Sequence, residues 1–272
     1  LPLILYGIIT ETSIAKLFMA GIMPGIILAG LYMVYIGITT TRSETGTGWE
    51  KPCWRKRILA LGKIWPVLVL AAAMLGGVYS GICTPTEAGE IGTFSALCLA
   101  IARKQLNWRN LKAAMLRAGQ NTAILCIVII GALMFGYMLT AAQIPQHLTT
   151  FLVSLAMPRW ATIIGINVLL LLLGCILEVG SLMLITLPII FPVVMALGFD
   201  PVWFGIMFCV NMEMALITPP VGMNLYVIKG ISNIPFGDIA RGAFPFMALQ
   251  IVTLAIILVW PQVALLLPRL MS

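Results

Sequence analysis

Apolar residues run along this chain in long blocks, and polar residues gather in short segments between them. The blocks at 17–38, 58–80, 120–141 and 243–260 are each about as long as the roughly 18 residues that read as a membrane-crossing helix. A short polar break, Ile82–Ala88, turns the second block into a return span that ends near Ala102. The segment from Arg103 to Arg117 mixes cations with Leu, Trp and Ala, and it reads as an amphipathic stretch on the membrane surface. Gln143 to Trp160, bounded by Pro145 and Pro158, reads as a connector at the outer interface.

Two later apolar stretches break in the middle. Residues 161–177 meet a break at Glu178-Val179-Gly180-Ser181, and 183–197 continue with Pro188 and Pro192 inside. This pattern predicts a hairpin over 161–197 that enters and leaves on one face. Residues 202–217 meet Thr218-Pro219-Pro220-Val221-Gly222 and continue as a second half-helix to Gly230. Lipid offers no hydrogen bonds, so interrupted backbone at membrane depth survives only inside protein or against a wet cavity. Paired interruptions of this kind point to the binding site of a secondary transporter. A lone proline kink is tolerated without any ligand. Consecutive prolines between Thr and Gly, near a second polar break, favour function.

An internal echo supports the same plan. Residues 1–36 place an apolar stretch, a polar connector with Ser13 and Lys16, and then Gly21-Ile22-Met23-Pro24 before a long apolar run. Residues 223–258 repeat that order, with Asp238 in the connector and Gly242-Ala243-Phe244-Pro245 ahead of the run. The sequence predicts an all-α integral membrane protein: a multi-span helical carrier with inverted repeats, a re-entrant hairpin and a discontinuous helix. Residues 1–141 would hold the end of a first repeat and connecting spans. Residues 142–272 would hold the second, with the hairpin 161–197 and the broken helix 202–230.

Composition narrows the class. Of 272 residues, 61% are hydrophobic and 9% charged, a balance foreign to soluble domains of this size. The net charge of +7 comes from Lys and Arg lying between spans, so it reads as topogenic charge on the cytoplasmic side, not as a nucleic-acid surface. Six cysteines are scattered without a Cys-x-x-Cys pair, and the one histidine, His147, has no metal-ligating company. No zinc-protease, phosphate-loop or Ser/His/Asp pattern is present, so an enzyme is not expected. The chain opens in an apolar segment without an initiator Met, a positive n-region or a cleavage pattern. It is expected to begin inside a longer protein.

The candidate chemistry sits at the breaks. Half-helices ending at Leu177 and Ile217 leave terminal carbonyls without intrahelical partners, at the negative end of the helix dipole. Such oxygens suit a small hard cation such as Na⁺, which would be a coupling ion, with no cofactor and no transition metal. Glu178, Gly180, Ser181, Thr218, Pro219 and Gly222 are the candidate ion-binding residues. The half-helix starting near Ser181 presents N–H groups to a substrate carboxylate, with the Asn224 amide nearby in sequence. Glu213, after Asn211, is an intramembrane carboxylate, read either as functional or as a buried partner steadying the broken helix. Pro220 keeps the second break open. Glu87 reads as part of a cap for the next helix, behind Thr84 or Thr86.

At these residues the chain resembles the large membrane subunit of tripartite ATP-independent periplasmic (TRAP) transporters. The matching segments are Ser13–Leu17 running to Gly21–Gly25, Tyr79–Ala88, Leu184–Pro192, and Asn211-Met212-Glu213 running into Ile217–Asn224. The resemblance implies an elevator-type carrier in the bacterial inner membrane that couples organic-acid uptake to Na⁺. It also implies two partners: a small membrane (Q) subunit and a periplasmic substrate-binding protein. By analogy the hairpin tip and the Thr218–Gly222 break together form an Na⁺ site. The family usually has Asp-Pro where this chain has Glu178-Val179. It places a first hairpin with a Pro-Pro-Ser break ahead of Leu1, so the chain alone is not expected to transport. Two other readings stay open: another Na⁺- or H⁺-coupled carrier with the same broken-helix plan, and a membrane scaffold fragment that does not transport.

Overall fold

The computed structural model describes residues 2–42, 54–104, 106–144, 146–147, 150, 158–219, 222–232 and 234–270. Among these there are eleven helices and no strand. In chain order they are α1 (Pro2–Thr10), α2 (Ile14–Arg42), α3 (Trp54–Tyr79), α4 (Pro85–Ala102), α5 (Trp108–Ala141), α6 (Arg159–Gly174), α7 (Val179–Ala196), α8 (Pro201–Ile217), α9 (Met223–Ile231), α10 (Phe236–Val259) and α11 (Gln262–Leu270). Helices α2, α5, α7 and α10 have the length and apolar character to cross a membrane. The protein is all-α and multi-pass.

The chain forms two compact units. One joins residues 1–36 to 126–272 and the other comprises 37–125. In the second unit α3 packs on α4. Thr84 caps α4: its hydroxyl accepts from the Glu87 amide, while the Glu87 carboxylate accepts from the Thr84 amide at 2.7 Å. This reciprocal pair satisfies donors that a helix start leaves open. The cap is Thr84, and Thr86 takes no part in it.

The first unit is organised around α8. Its residues Val202–Phe208, Asn211, Met212, Met214 and Ala215 are buried against α1, α6, α7, α10 and α11. Trp203 donates its indole N–H to the Ile257 carbonyl at 2.9 Å, tying α8 to α10. Tyr6 is wholly buried among Phe191, Phe204 and Phe208, and its hydroxyl donates to the Pro201 carbonyl at 2.7 Å. Half of the apolar stretch of α7 is buried, against 22% for α2 and for α10. Helix α7 is therefore more deeply embedded in protein than α2 and α10, which keep most of their apolar surface outward.

Three boundaries differ from the sequence expectation. The surface segment expected over 103–117 joins the span expected over 120–141 from Trp108 onward, in one helix, α5, of 34 residues. No proline falls between Trp108 and Ala141, and the junction is rich in Ala, Leu, Met, Arg and Gln, good helix formers that carry the helix through. The polar connector that holds Asp238 in the sequence echo is already helical there, because α10 starts at Phe236 after Pro235. Helix α11, with Ala264 and Leu265 buried, extends the fold past the last expected span. The connector expected at Gln143–Trp160 lies mostly outside the described residues.

Helices α1 and α9 are both nine residues long. Each leads through a short connector into a long helix with an internal proline, Pro24 in α2 and Pro245 in α10.

Candidate functional site

Both expected breaks are present. Helix α6 ends at Gly174 and α7 starts at Val179; α8 ends at Ile217 and α9 starts at Met223. At 1.5 Å per residue, α6 with 16 residues and α8 with 17 extend only about 24–26 Å, short of the roughly 30 Å hydrocarbon layer. Neither half-helix crosses alone.

The first break lies one turn earlier than the sequence suggests. It occupies residues 175–178, and Gly180 and Ser181 already belong to the first turn of α7. Glu178 causes the shift. With extended backbone (φ −69°, ψ 143°), it is the N-cap, and its carboxylate accepts from the Ser181 amide at 3.0 Å. The Ser181 hydroxyl lies 3.5 Å from the same oxygen. The amide expected to greet a substrate carboxylate is thus engaged by the chain's own acid, at the end where the dipole favours negative charge.

The second break is shaped by backbone. Thr218 leaves the helix with φ −93° and ψ 124°, and its hydroxyl donates to the Met214 carbonyl at 2.6 Å. Pro219 follows, half-buried. Pro220, expected to hold the break open, lies outside the described residues. Gly222 starts α9 in the left-handed region at φ +50°, with no side-chain cap.

The two breaks share a floor. A methyl group on Gly174 would come within 2.5 Å of the Ala215 Cβ and 3.3 Å of Leu182. The last residue of α6, the first turn of α7 and the last turn of α8 therefore converge, which places the carbonyl ends of α6 and α8 side by side. Above this floor, Glu178 and Ser181 are exposed and Thr218 is half-buried. Asn224 is exposed in the first turn of α9. Glu87 belongs to the other compact unit, where it caps α4.

Glu213 does not fit the reading of a buried clamp. It is exposed while Met212 and Met214 on either side are buried. The clamp is Asn211, fully buried, whose amide donates to the carbonyl and to the Oδ1 of Asn167, both at 2.9 Å. Asn167 in turn donates to the Ile163 carbonyl at 2.8 Å. This amide pair holds α6 to α8 two turns below the breaks. Sequence reasoning missed Asn167, although an isolated amide in Ile163–Leu173 was the available signal. It also missed Gln250, buried on α10.

Comparison with known proteins identifies a family for the chain. The family model described as tripartite ATP-independent periplasmic transporter, DctM component, matches residues 1–263. The chain is 36% identical, over 98% of its length and 62% of the relative's, to the C4-dicarboxylate TRAP transporter large permease protein DctM of Pseudomonas aeruginosa. It is 33% identical, over 99% and 63%, to the sialic acid TRAP transporter large permease protein SiaM of Vibrio cholerae. It is 31% identical, over 98% and 63%, to the 2,3-diketo-L-gulonate TRAP transporter large permease protein YiaN of Escherichia coli. The chain thus spans about three fifths of the length of these relatives. With a family match over nearly its whole length, the chain belongs to the DctM component of the tripartite ATP-independent periplasmic transporters.

Proposed function

We propose that this chain forms part of a permease that takes up an organic acid across the bacterial inner membrane, coupled to Na⁺. The observation that carries this reading is the convergence of two interrupted helices at Gly174 and Ala215. Within the breaks the Leu173 carbonyl accepts from the Ile176 and Leu177 amides and the Ala215 carbonyl from the Thr218 amide. A helix end leaves further carbonyls without intrahelical partners, and those are the proposed ligands. In an apolar surrounding such oxygens gain by coordinating a small cation. In this reading Gly180, Thr218, Pro219 and Gly222 would supply the ligands, mostly through backbone oxygen. Glu178 would add a negative charge to the site while it caps α7. The organic-acid class is supported by the relatives' names, which span dicarboxylates, a sialic acid and a diketo acid. The substrate carboxylate would meet Ser181 through its hydroxyl, with Asn224 as a second polar contact.

The resemblance adds an elevator-type mechanism, a small membrane subunit and a periplasmic binding protein that delivers substrate, and the internal echo of the sequence pairs α1–α2 with α9–α10 as an inverted repeat. The test is thermal unfolding of the purified chain in lipid nanodiscs with NaCl or KCl. Na⁺ is expected to raise the midpoint where K⁺ does not, by mass action on the folded state. Thr218→Ala is expected to weaken that rise. Equal midpoints in both salts would refute Na⁺ binding at the breaks.

A further inference from the structure

We propose that a cleft between α2, α8 and α10, apart from the two breaks, binds a small monovalent cation between the Glu213 carboxylate and the Gln250 side-chain oxygen. The cleft has a volume of about 290 Å³ and is lined by Gly21, Pro24 and Gly25 of α2, by Cys209 and Glu213 of α8, and by Gln250 of α10. Two observations point to a ligand. Gln250 is only 6% exposed, yet its Oε1 has no hydrogen-bond partner. Glu213 is the one carboxylate in α8 and turns outward from the buried face of that helix. Both groups line the same cleft, and no Lys or Arg lines it.

The chemistry follows from what these atoms are. A carboxylate and an amide oxygen are both acceptors, so an occupant must bring positive charge or several donors. An ionised carboxylate at membrane depth is costly unless paired, and an unsatisfied buried amide oxygen adds to the cost. One cation answers both. The volume exceeds the roughly 30 Å³ share of a single water several-fold, so an alkali ion with part of its hydration shell or a small primary ammonium fits. Both share the same recognition, a compact positive charge met by two oxygens. The Cys209 thiol of α8 lines the same cleft and supplies no counter-charge.

Carbodiimide labelling tests the site, because dicyclohexylcarbodiimide modifies carboxyl groups in apolar surroundings and mass spectrometry assigns the residue. The purified chain in nanodiscs is labelled at fixed pH in NaCl, KCl, methylammonium chloride or, as an ionic-strength control, tetrabutylammonium chloride. Labelling of Glu213 is expected to slow about fivefold in a protecting salt at about four times its dissociation constant. Comparing the alkali and methylammonium arms tells which cation the cleft prefers. Gln250→Leu should remove the protection and Gln250→Glu should preserve it, which guards against a mere folding defect. Thr218→Ala should leave protection of Glu213 intact, so failure of ion binding at the breaks is separable from failure here. Equal labelling in all four salts, or protection unchanged in Gln250→Leu, would overturn the proposal.

Discussion

The two interruptions solve one problem by different means. Between α6 and α7 a side chain does the work: Glu178 caps the new helix, and no proline lies within residues 175–178. Between α8 and α9 the backbone does it, through Pro219 and the left-handed Gly222, with no side-chain cap. The start of α8 shows a third form, Asp200-Pro201, in which the carboxylate accepts from Val202 and Trp203 at 2.8 and 3.1 Å and proline takes the first helical position. Glu178-Val179 performs the Asp200 role with one more methylene and without the proline. A side-chain cap can be removed without altering the path of the chain. A left-handed glycine can be replaced by most other residues only at a cost in backbone strain. The first break is therefore the more adjustable of the two, and the second the more rigid.

The largest way to break the pair acts on both at once. Gly174→Val is expected to lower stability by about 1–3 kcal/mol through overlap with Ala215 and Leu182. Thermal unfolding reads the loss, and hydrogen exchange should rise on both sides of the shared floor. Asn211→Leu is expected to cost a similar ~1–3 kcal/mol, because Asn167 is left buried with its oxygen unmet. That loss should appear in unfolding while exchange at the breaks stays near the native level.

Gly222→Ala comes next, at about 1–2 kcal/mol for a Cβ in the left-handed region, where it would also lie 3.1 Å from the Thr218 carbonyl oxygen. Gly222→Asn should recover part of this, since Asn tolerates that conformation. The smallest effect is expected for Glu178→Ala, about 1 kcal/mol for a lost N-cap, with Glu178→Asp restoring most of it. If Glu178→Ala proved more damaging than Gly222→Ala in the same unfolding assay, the contrast between an adjustable and a rigid break would be wrong.

The positions of both interruptions were legible because Pro, Gly and isolated polar residues leave a mark in an apolar run. Their register was less so. Nothing local in Gly174–Ser181 says that Glu178 will turn back to the Ser181 amide and pull the helix start forward to Val179. The long reach of α5 was missed because its cations suggested a surface segment, while helix propensity across the junction decided the outcome. Asn167 and Asn211 lie 44 residues apart, so their pairing depends on how α6 meets α8 and not on any local pattern. Glu213 shows the limit of reasoning from residue type: a carboxylate in an apolar helix can face inward or outward, and its two buried methionine neighbours settle the matter only in three dimensions.

The hydrogen bond from Tyr6 to the Pro201 carbonyl joins groups 195 residues apart. At synthesis rates of about 5–20 residues per second, Tyr6 waits roughly ten to forty seconds before its acceptor exists. During that interval Tyr6 lacks both its acceptor and the rings of Phe204 and Phe208 that later enclose it. Its final seat is therefore completed late, by docking on helices made long after it.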